Sequence, residues 1–390
     1  MKIAYISNSF FSDCDIPLIN ELIKNGIEIT YYLIMSDKNK CGTIINVNKV
    51  KEKYGIYQAS EYDSLSYLSQ FIDLSVVKIV NMSVPHNYVP QSFILSYHFK
   101  QEIVNNSFDL IHIAWPLDYP FYLLYLIKRP FILSVHDPIP HSSNNNIRER
   151  IKRNVAIKNA SRYILFNNNQ APYFAKKYKI PQSKISISRL SVYIHLQKTT
   201  PIAPIYSGDY ILFTGFISPY KGLKYIVEAM PQIQNTYKNI KLIIAGKGSP
   251  DFDINPYIQN ESVIFINRYI RNDELASLII NSKFVCCPYI DATQSGVIMS
   301  AFALNKPVLA TNAGALPEMV ENGKTGLLVC PRDSNALAEA SKTLLSNNTL
   351  ETMSRNIKQE YTVGHKSWEY IAKDIIKTYK KTLIDFNNGN

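Results

Sequence analysis

The chain has 390 residues, 46% of them hydrophobic and 19% charged, which predicts at least two globular domains and excludes a disordered or coiled-coil chain. Its longest strongly apolar stretch, Tyr119 to Ile127, is far shorter than the roughly 20 residues that cross a bilayer, so an integral membrane protein is excluded as well. The formal net charge is +11, and the first 200 residues hold 23 Lys and Arg against 14 Asp and Glu, so we expect the first half to meet an anionic partner.

Apolar runs alternate with segments of helical periodicity through the first half. This alternation is typical of βαβ units, in which a parallel sheet is covered by helices on both faces. The predicted strands span residues 2–7, 27–34, 109–115, 130–137, 162–167 and 184–190. We therefore expect a Rossmann-like first domain over residues 1–195.

The same pattern returns in the second half, after a segment at 196–208 that holds two prolines and no period and that we interpret as a linker. The predicted strands span residues 210–216, 241–246, 263–270, 284–289, 307–312 and 326–330. A second Rossmann-like domain is thus expected over 209–365. The remaining residues, 366–390, hold one long amphipathic helix that begins near Ser367.

A polar turn follows the strand over 284–289 and opens a short helix. Backbone amides and hydroxyls at such a helix start, together with the helix dipole, suit a diphosphate. The residues of this predicted anion site are Thr293, Gln294, Ser295 and Gly296. An ordinary helix cap with a tight turn is the alternative interpretation of this segment.

Two further strand ends carry similar loops. One runs from Gly215 to Gly222 and places Lys221 at a helix start, where its ammonium could reach a phosphate or remain a solvated surface charge. The other is AGKG at 245–248, with Gly246 in the same topological position. Because the carboxyl ends of parallel strands meet at one edge of a sheet, these loops predict a nucleotide cleft.

These blocks carry a resemblance. The second half resembles the donor domain of the retaining GT-B glycosyltransferases, the large group called glycosyltransferase family 4 or glycosyl transferases group 1. Four blocks match in order: the loop around Lys221, the AGKG block, the strand and helix around Arg268 to Leu275, and a long block from Pro288 to Pro331.

The resemblance implies two Rossmann-like domains with parallel sheets facing one another across a cleft, and a final helix that crosses back to the first domain. It implies transfer of a sugar from a nucleotide-diphosphate donor with retention of configuration, and no cofactor or bound metal. The donor-binding residues that it implies are Gly215, Lys221, Gly246, Arg268, Thr293, Gln294, Ser295 and Gly296.

In the first half the match rests on VHDPIPH at 135–141 and on the strand, helix and strand from 162 to 190. The family's catalytic-cleft histidine, which contacts the transferred sugar, falls on His136, with His141 as a supporting residue. An imidazole there could donate to a hydroxyl or to developing negative charge. A lone histidine at a strand end also has a purely structural interpretation.

The chain departs from the family pattern at three positions. Phe216 stands where an arginine is usual, so we expect Lys221 to work with Arg268 on the diphosphate. Ala292 and Ser300 stand where the family carries two glutamates. This puts the usual sugar and ribose contacts in question.

Two alternatives remain open. A metal-dependent glycosyltransferase would use a D-x-D site, for which Asp13 with Asp15 and Asp251 with Asp253 are the candidates, although two nucleotide-binding halves disfavour that plan. A non-catalytic nucleotide-sugar-binding or scaffold protein could keep the fold without the carboxylates. Nucleic acid is not expected as a partner, since no basic and aromatic residues interleave over a sheet or recognition helix.

Location is predicted from charge, cysteines and the N-terminus. Five cysteines without a C-x-x-C pair and the lack of a secretory signal favour a reducing, cytoplasmic setting. The resemblance implies a glycan or lipid-linked acceptor of cell-surface polysaccharide synthesis on the first domain. A basic cluster there suits peripheral contact with the anionic inner membrane face, or is merely a solvated surface: Arg148, Arg150, Lys152, Arg153, Lys158 and Arg162.

Overall fold

The protein is described here as a computed structural model over residues 1–36, 44–45, 54–82, 89–138, 147–346 and 348–389. Its contacts divide the chain into two compact units. Unit 1 comprises Met1–Leu190 and Trp368–Asn390, and unit 2 comprises Ser191–Ser367.

Unit 1 is built on an eight-stranded sheet in the order β3-β4-β2-β1-β5-β6-β7-β8. Its strands are β1 (Lys2–Asn8), β2 (Glu28–Ser36), β3 (Gly55–Gln58), β4 (Val77–Met82), β5 (Leu110–Ile113), β6 (Phe131–Val135), β7 (Arg162–Leu165) and β8 (Ile185–Ile187). Its first four helices are α1 (Ser12–Lys24), α2 (Pro90–Asn105), α3 (Ile147–Asn159) and α4 (Ala171–Tyr178). All six strands predicted in this half are present.

The sequence analysis missed β3 and β4. The edge strand β3 pairs antiparallel with β4, so the first sheet is parallel except at this edge. The run VKIVNM that forms β4 is interrupted by a lysine and an asparagine, yet Asn81 is fully buried. Because polar residues break the apolar run, its strand character was not evident from the sequence.

Unit 2 is built on a six-stranded, fully parallel sheet in the order β11-β10-β9-β12-β13-β14. Its strands are β9 (Tyr210–Thr214), β10 (Lys241–Ala245), β11 (Val263–Ile266), β12 (Phe284–Cys287), β13 (Val308–Thr311) and β14 (Gly326–Val329). All six were predicted. In chain order this is the doubly wound arrangement, whose strand order reverses between β9 and β12.

Helices cover both faces of the second sheet. They are α5 (Ile194–Gln197), α6 (Leu223–Thr236), α7 (Asn255–Gln259), α8 (Asn272–Asn281), α9 (Gly296–Ala303), α10 (Leu316–Met319), α11 (Ser334–Leu345) and α12 (Thr349–Thr362). Along β9, Ile211 and Phe213 enter one hydrophobic cluster, whereas Tyr210 and Leu212 enter the other. The uninterrupted apolar sequence of the strand follows from this burial on both faces.

The segment between the predicted domains does not lie wholly in a linker. Its first two residues, Leu196 and Gln197, are the last two of α5. Leu196 is buried, and the Gln197 Nε2 donates to the Ala303 carbonyl at 2.9 Å. The boundary between the two units falls between Leu190 and Ser191, five residues before the predicted end of the first domain. Short-range packing of α5 on α9 accounts for the difference.

The final helix, α13 (Trp368–Asn388), belongs to unit 1 and packs on α1. The Tyr379 hydroxyl lies 2.6 Å from His112 Nδ1, and Asp385 forms an ion pair with the buried Arg162. Among the described helices, α13 included, none is long and apolar enough to cross a membrane.

Candidate functional site

The loops that follow β9 and β12 pack backbone against backbone where the strand order of unit 2 reverses. A Cβ added at Gly222, which has a φ of +63°, would lie 2.0 Å from the Pro288 carbonyl oxygen. The Ile290 amide donates to the Tyr220 carbonyl at 2.7 Å. Only glycine permits this approach, and it lies at the topological switch point, where sheets of this kind have the crevice that binds their ligands.

Lys221 lies in the loop after β9, at this switch point, and is only 8% exposed. Its Nζ would sit 2.8 Å from a Cβ placed on Gly215, and it lies 5.5 Å from the centroid of the Tyr289 ring. Burial lowers the pKa of the Lys221 ammonium. In the described part of the chain, no carboxylate lies within 4.0 Å of Lys221 Nζ, so the switch point holds a desolvated cation without a counter-charge.

The glycine of the AGKG block has a packing role. A Cβ at Gly246 would lie 1.9 Å from the Gly215 carbonyl oxygen, and the Gly215 amide donates to the Ala245 carbonyl at 3.0 Å. Gly215 itself has a φ of +99°, in the region that favours glycine. These two predicted donor residues therefore hold the ends of β9 and β10 together behind Lys221.

The structure shows the helix cap at the start of α9, and the anion site there stays a prediction. The Ser295 Oγ accepts from the Ile298 amide at 3.3 Å, which is an ordinary helix cap. Gly296 begins the helix, so the positive end of its dipole lies on the same side of the sheet as the Lys221 loop. Thr293 is buried and Gln294 is half-buried in the turn before it.

Arg268 follows the edge strand β11, and its charge is already paired. Its guanidinium forms a bidentate ion pair with Glu274, one arm of which measures 2.7 Å from Nη1 to Oε2. Because Arg268 holds the carboxylate, the pKa of Glu274 lies below its ordinary value. The expected cooperation of Arg268 with Lys221 on a diphosphate stays a prediction, and it would require this ion pair to be shared or exchanged.

The structure describes the surroundings of the three positions at which the chain departs from the family pattern. Phe216 is 63% exposed beside Gly215. Ala292 is buried, and its carbonyl accepts from the Ala315 amide at 3.0 Å. The Ser300 Oγ donates to the Gly296 carbonyl at 2.8 Å. Neither position offers a carboxylate, so the ligand contacts of the usual glutamates are not reproduced at them.

His136 follows β6 in unit 1 and is 9% exposed. Its ring lies 4.4 Å from that of Phe11 and 4.7 Å from that of Phe166, and 6.0 Å from that of Trp115, measured between centroids. Burial lowers the pKa of His136 to about 4, so the imidazole is neutral near pH 7. A neutral ring of this kind can donate one hydrogen bond and accept another. His141 lies outside the described residues.

The aromatic neighbours of His136 were missed by the sequence analysis. Phe11 follows β1 and Trp115 follows β5, the two strands between which the strand order of the first sheet reverses. The signal was available, because Trp115 is the last residue of one predicted strand and Phe11 follows another, both at the carboxyl edge. It was overlooked because aromatic side chains are more often part of the core.

Three of the four carboxylates of the D-x-D candidates accept hydrogen bonds from neighbouring groups: Asp13, Asp15 and Asp253. Asp15 accepts from the Tyr5 hydroxyl at 2.8 Å and from the Tyr31 hydroxyl at 3.2 Å, and burial raises the pKa of Asp13 and of Asp15 to about 7. Asp253 Oδ1 accepts from the Asn255 amide at 3.0 Å. Among the described residues, no group of three or more His, Cys, Asp or Glu is placed to hold a metal ion.

Comparison with known proteins agrees with this geometry. A family model described as "Glycosyl transferases group 1" matches residues 208–347, which lie in unit 2. An uncharacterized glycosyltransferase of Methanocaldococcus jannaschii is 28% identical over 179 residues, 44% of each chain. The phosphatidyl-myo-inositol mannosyltransferase of Mycobacterium leprae is 26% identical over 177 residues, 44% of this chain and 46% of the relative.

The matches thus span a little less than half the length of these curated relatives. The crystal structure of the Anabaena protein HepE in complex with UDP and glucose covers 97% of this chain and 99% of its own, with a TM-score of 0.63 at 17% identity. These findings confirm the expected glycosyltransferase domain and the GT-B-type pair of α/β domains. Retention of configuration and membership of family 4 stay predictions.

Proposed function

Since the chain carries a group 1 glycosyltransferase domain on a GT-B fold, we propose that it transfers a sugar from a nucleotide-diphosphate donor to a glycan or lipid-linked acceptor, with retention of configuration. The observation that carries the proposal is Lys221 at the switch point of unit 2, which is buried and has no carboxylate partner among the residues that the structure describes. A diphosphate would supply the counter-charge that this ammonium lacks. The UDP and glucose bound to HepE support a nucleotide sugar as the ligand class.

In the proposed reaction, Lys221 and the amino end of α9 stabilise the charge that grows on the leaving diphosphate. His136 is neutral at pH 7 and its N–H donates to the Ala114 carbonyl, so its other ring nitrogen accepts a hydrogen bond from a hydroxyl of the transferred sugar. The acceptor hydroxyl attacks the anomeric carbon, the bond to the diphosphate breaks, and the hydroxyl proton passes to the departing phosphate oxygen. No side-chain nucleophile takes part, and no cofactor or divalent metal is needed.

The proposal is tested with a panel of nucleotide-diphosphate sugars. Binding to the native state raises the midpoint of thermal unfolding, and the donor that produces the largest rise is then assayed for hydrolysis without acceptor. We expect slow release of the nucleoside diphosphate that continues in excess EDTA. Stabilisation by no member of the panel would contradict the proposal, and complete loss of turnover in EDTA would favour a metal-dependent enzyme.

A non-catalytic nucleotide-sugar-binding protein is the second candidate. It is favoured by Ala292 and Ser300 at the usual glutamate positions and by the ion pair that occupies Arg268. The same assay separates the two, because a binding protein is stabilised by the donor and releases no product. Product release at a rate above that of the buffer control decides for the enzyme.

We further propose that the protein works in cell-surface polysaccharide synthesis at the inner membrane face. In α3, Ile147 and Ile151 are 63% and 50% exposed beside the exposed Arg148, a combination suited to an anionic interface. Co-sedimentation with anionic and neutral vesicles tests this location. Binding only to anionic vesicles, weakened by salt, is expected, whereas binding that ignores lipid charge would contradict it.

A further inference from the structure

A second, strongly basic cavity lies in unit 1, between α3 and the end of α4. It encloses about 900 Å³, within the size range of ligand pockets. Five cations and two aromatic rings dominate the described residues of its lining, and we refer to it as the basic cavity: Arg150, Arg153, Lys158, Lys177, Lys179, Trp115 and Tyr178.

The cations of the basic cavity have no carboxylate partners. Within the described ranges of the chain, none of the five lies within 4.0 Å of an Asp or Glu oxygen. Glu149 also lines the cavity; its Oε1 lies 2.9 Å from the Nζ of Lys152, an ammonium that it shares with Asp118, so five cations face one carboxylate in the described lining. The cavity therefore gathers like charges that repel one another, and an anion entering it would relieve that repulsion.

The local structure builds this arrangement. Arg150, Arg153 and Ile157 share one face of α3 because they are spaced by three and four residues. The Arg153 guanidinium donates to the Asp137 carbonyl, which fixes this cation against the end of β6. Lys179 ends α4 in the left-handed conformation, with a φ of +54°, and so turns the chain at the rim.

The inner wall of the basic cavity leads toward His136. Trp115 lines the cavity, and its ring centroid lies 6.0 Å from that of His136 and 5.1 Å from that of Phe11. A ligand whose charged group occupies the cavity would thus extend past one aromatic side chain to the proposed point of sugar transfer. Trp115 and Tyr178 add apolar surface for the body of such a ligand.

We propose that the basic cavity binds a phosphoryl or diphosphoryl group of the acceptor, so that the acceptor is a phosphorylated compound. That the ligand is the acceptor rests on the proposed function, whereas the binding of a phosphoryl group to the basic cavity does not. A concave site of this volume suits a discrete ligand that enters it, in contrast to the convex face of α3 that carries Ile147 and Ile151. The phosphoryl group could belong to a soluble sugar phosphate or to a lipid.

The test measures binding of inorganic pyrophosphate by calorimetry in a Lys221→Ala background, which weakens binding at the donor crevice. The cavity variant is Arg150→Gln with Lys177→Gln, two exposed cations of the lining. The matched control is Arg148→Gln with Lys176→Gln, which removes the same charge from the same two helices outside the lining. We expect at least about a 10-fold rise in Kd for the cavity variant and less than about 2-fold for the control.

Equal weakening in both variants, or no pyrophosphate binding to the background protein, would overturn the proposal. A second arm measures co-sedimentation with phosphatidylcholine vesicles with and without phosphatidic acid. Vesicle binding that is lost only in the cavity variant assigns the phosphoryl group to a lipid, whereas pyrophosphate binding alone assigns it to a soluble ligand. Donor hydrolysis without acceptor is independent of both arms, so failure of the proposed function is recognised separately.

Discussion

Replacing Asp15 by asparagine should make the stability of the protein less sensitive to a rise in pH from 5 to 7. Asp15 is buried in α1, and its pKa is raised from an ordinary 3.8 to about 7, first because burial disfavours the charged form. Asparagine keeps the oxygen that accepts from the Tyr5 hydroxyl and removes the charge. The perturbation therefore isolates the cost of ionising this carboxyl group.

The sign and size follow from proton linkage. A carboxyl with a raised folded-state pKa leaves the folded state unpenalised below pH 3.8, and the stability falls progressively as the pH rises to about 7. The penalty grows by up to about 1.4 kcal/mol per pH unit and levels off as the pH reaches the folded-state pKa, so the free energy of unfolding of Asp15→Asn should gain roughly 2 kcal/mol on wild type between pH 5 and pH 7. Any effect of the new amide on the free energy of unfolding that does not depend on pH is the same at pH 5 and pH 7, so it cancels in this difference.

Urea unfolding at the two pH values measures the effect. The exposed Asp63→Asn is the control, since its carboxyl is in solvent and should give a much smaller difference. A difference for Asp15→Asn that is close to zero, or of opposite sign, would refute the reasoning. The variant should also retain transfer activity; loss of activity in a stably folded variant would revive Asp15 as a metal ligand of a D-x-D site.

Two further predictions concern the candidate site. His136→Ala should lower turnover by about 10² to 10³-fold if the imidazole stabilises developing charge, which steady-state kinetics will show, and full activity would remove it from the reaction. Gly246→Ala should destabilise unit 2 by roughly 2 kcal/mol or more, because the new Cβ would lie 1.9 Å from the Gly215 carbonyl oxygen. A thermal unfolding midpoint equal to that of wild type would show that the strand ends can part without cost.

The strands of unit 2 were predictable because each is a short apolar run buried on both faces, such as YILFT in β9. The positions of Lys221 and Ser295 followed from the strand ends that precede them. In unit 1 the same reasoning failed for β4, whose Asn81 is buried within a polar-interrupted run. Burial of this kind depends on tertiary packing, which the local sequence does not reveal.

The sequence does not show which of the basic site residues have a carboxylate partner. Arg268 and Lys221 appear equivalent as basic residues at strand ends, yet Arg268 is paired with Glu274 while Lys221 is buried without a carboxylate partner in the described structure. The basic cluster of the first half was likewise visible as composition only. Its separation into a concave face with Arg150 and a convex face with Ile147 and Ile151 depends on how α3 packs.

Comparison of Lys221→Ala with Lys224→Ala in the donor-hydrolysis assay tests the central claim most directly. Lys224 lies one turn further along in α6, where its side chain is half exposed and 3.7 Å from Glu228. A charge-assisted hydrogen bond contributes about 1.5–3 kcal/mol, so Lys221→Ala should lower kcat/KM by roughly 10 to 150-fold and Lys224→Ala by less than about 2-fold. Unchanged kcat/KM in a folded Lys221→Ala protein, or equal losses in both variants, would contradict the account.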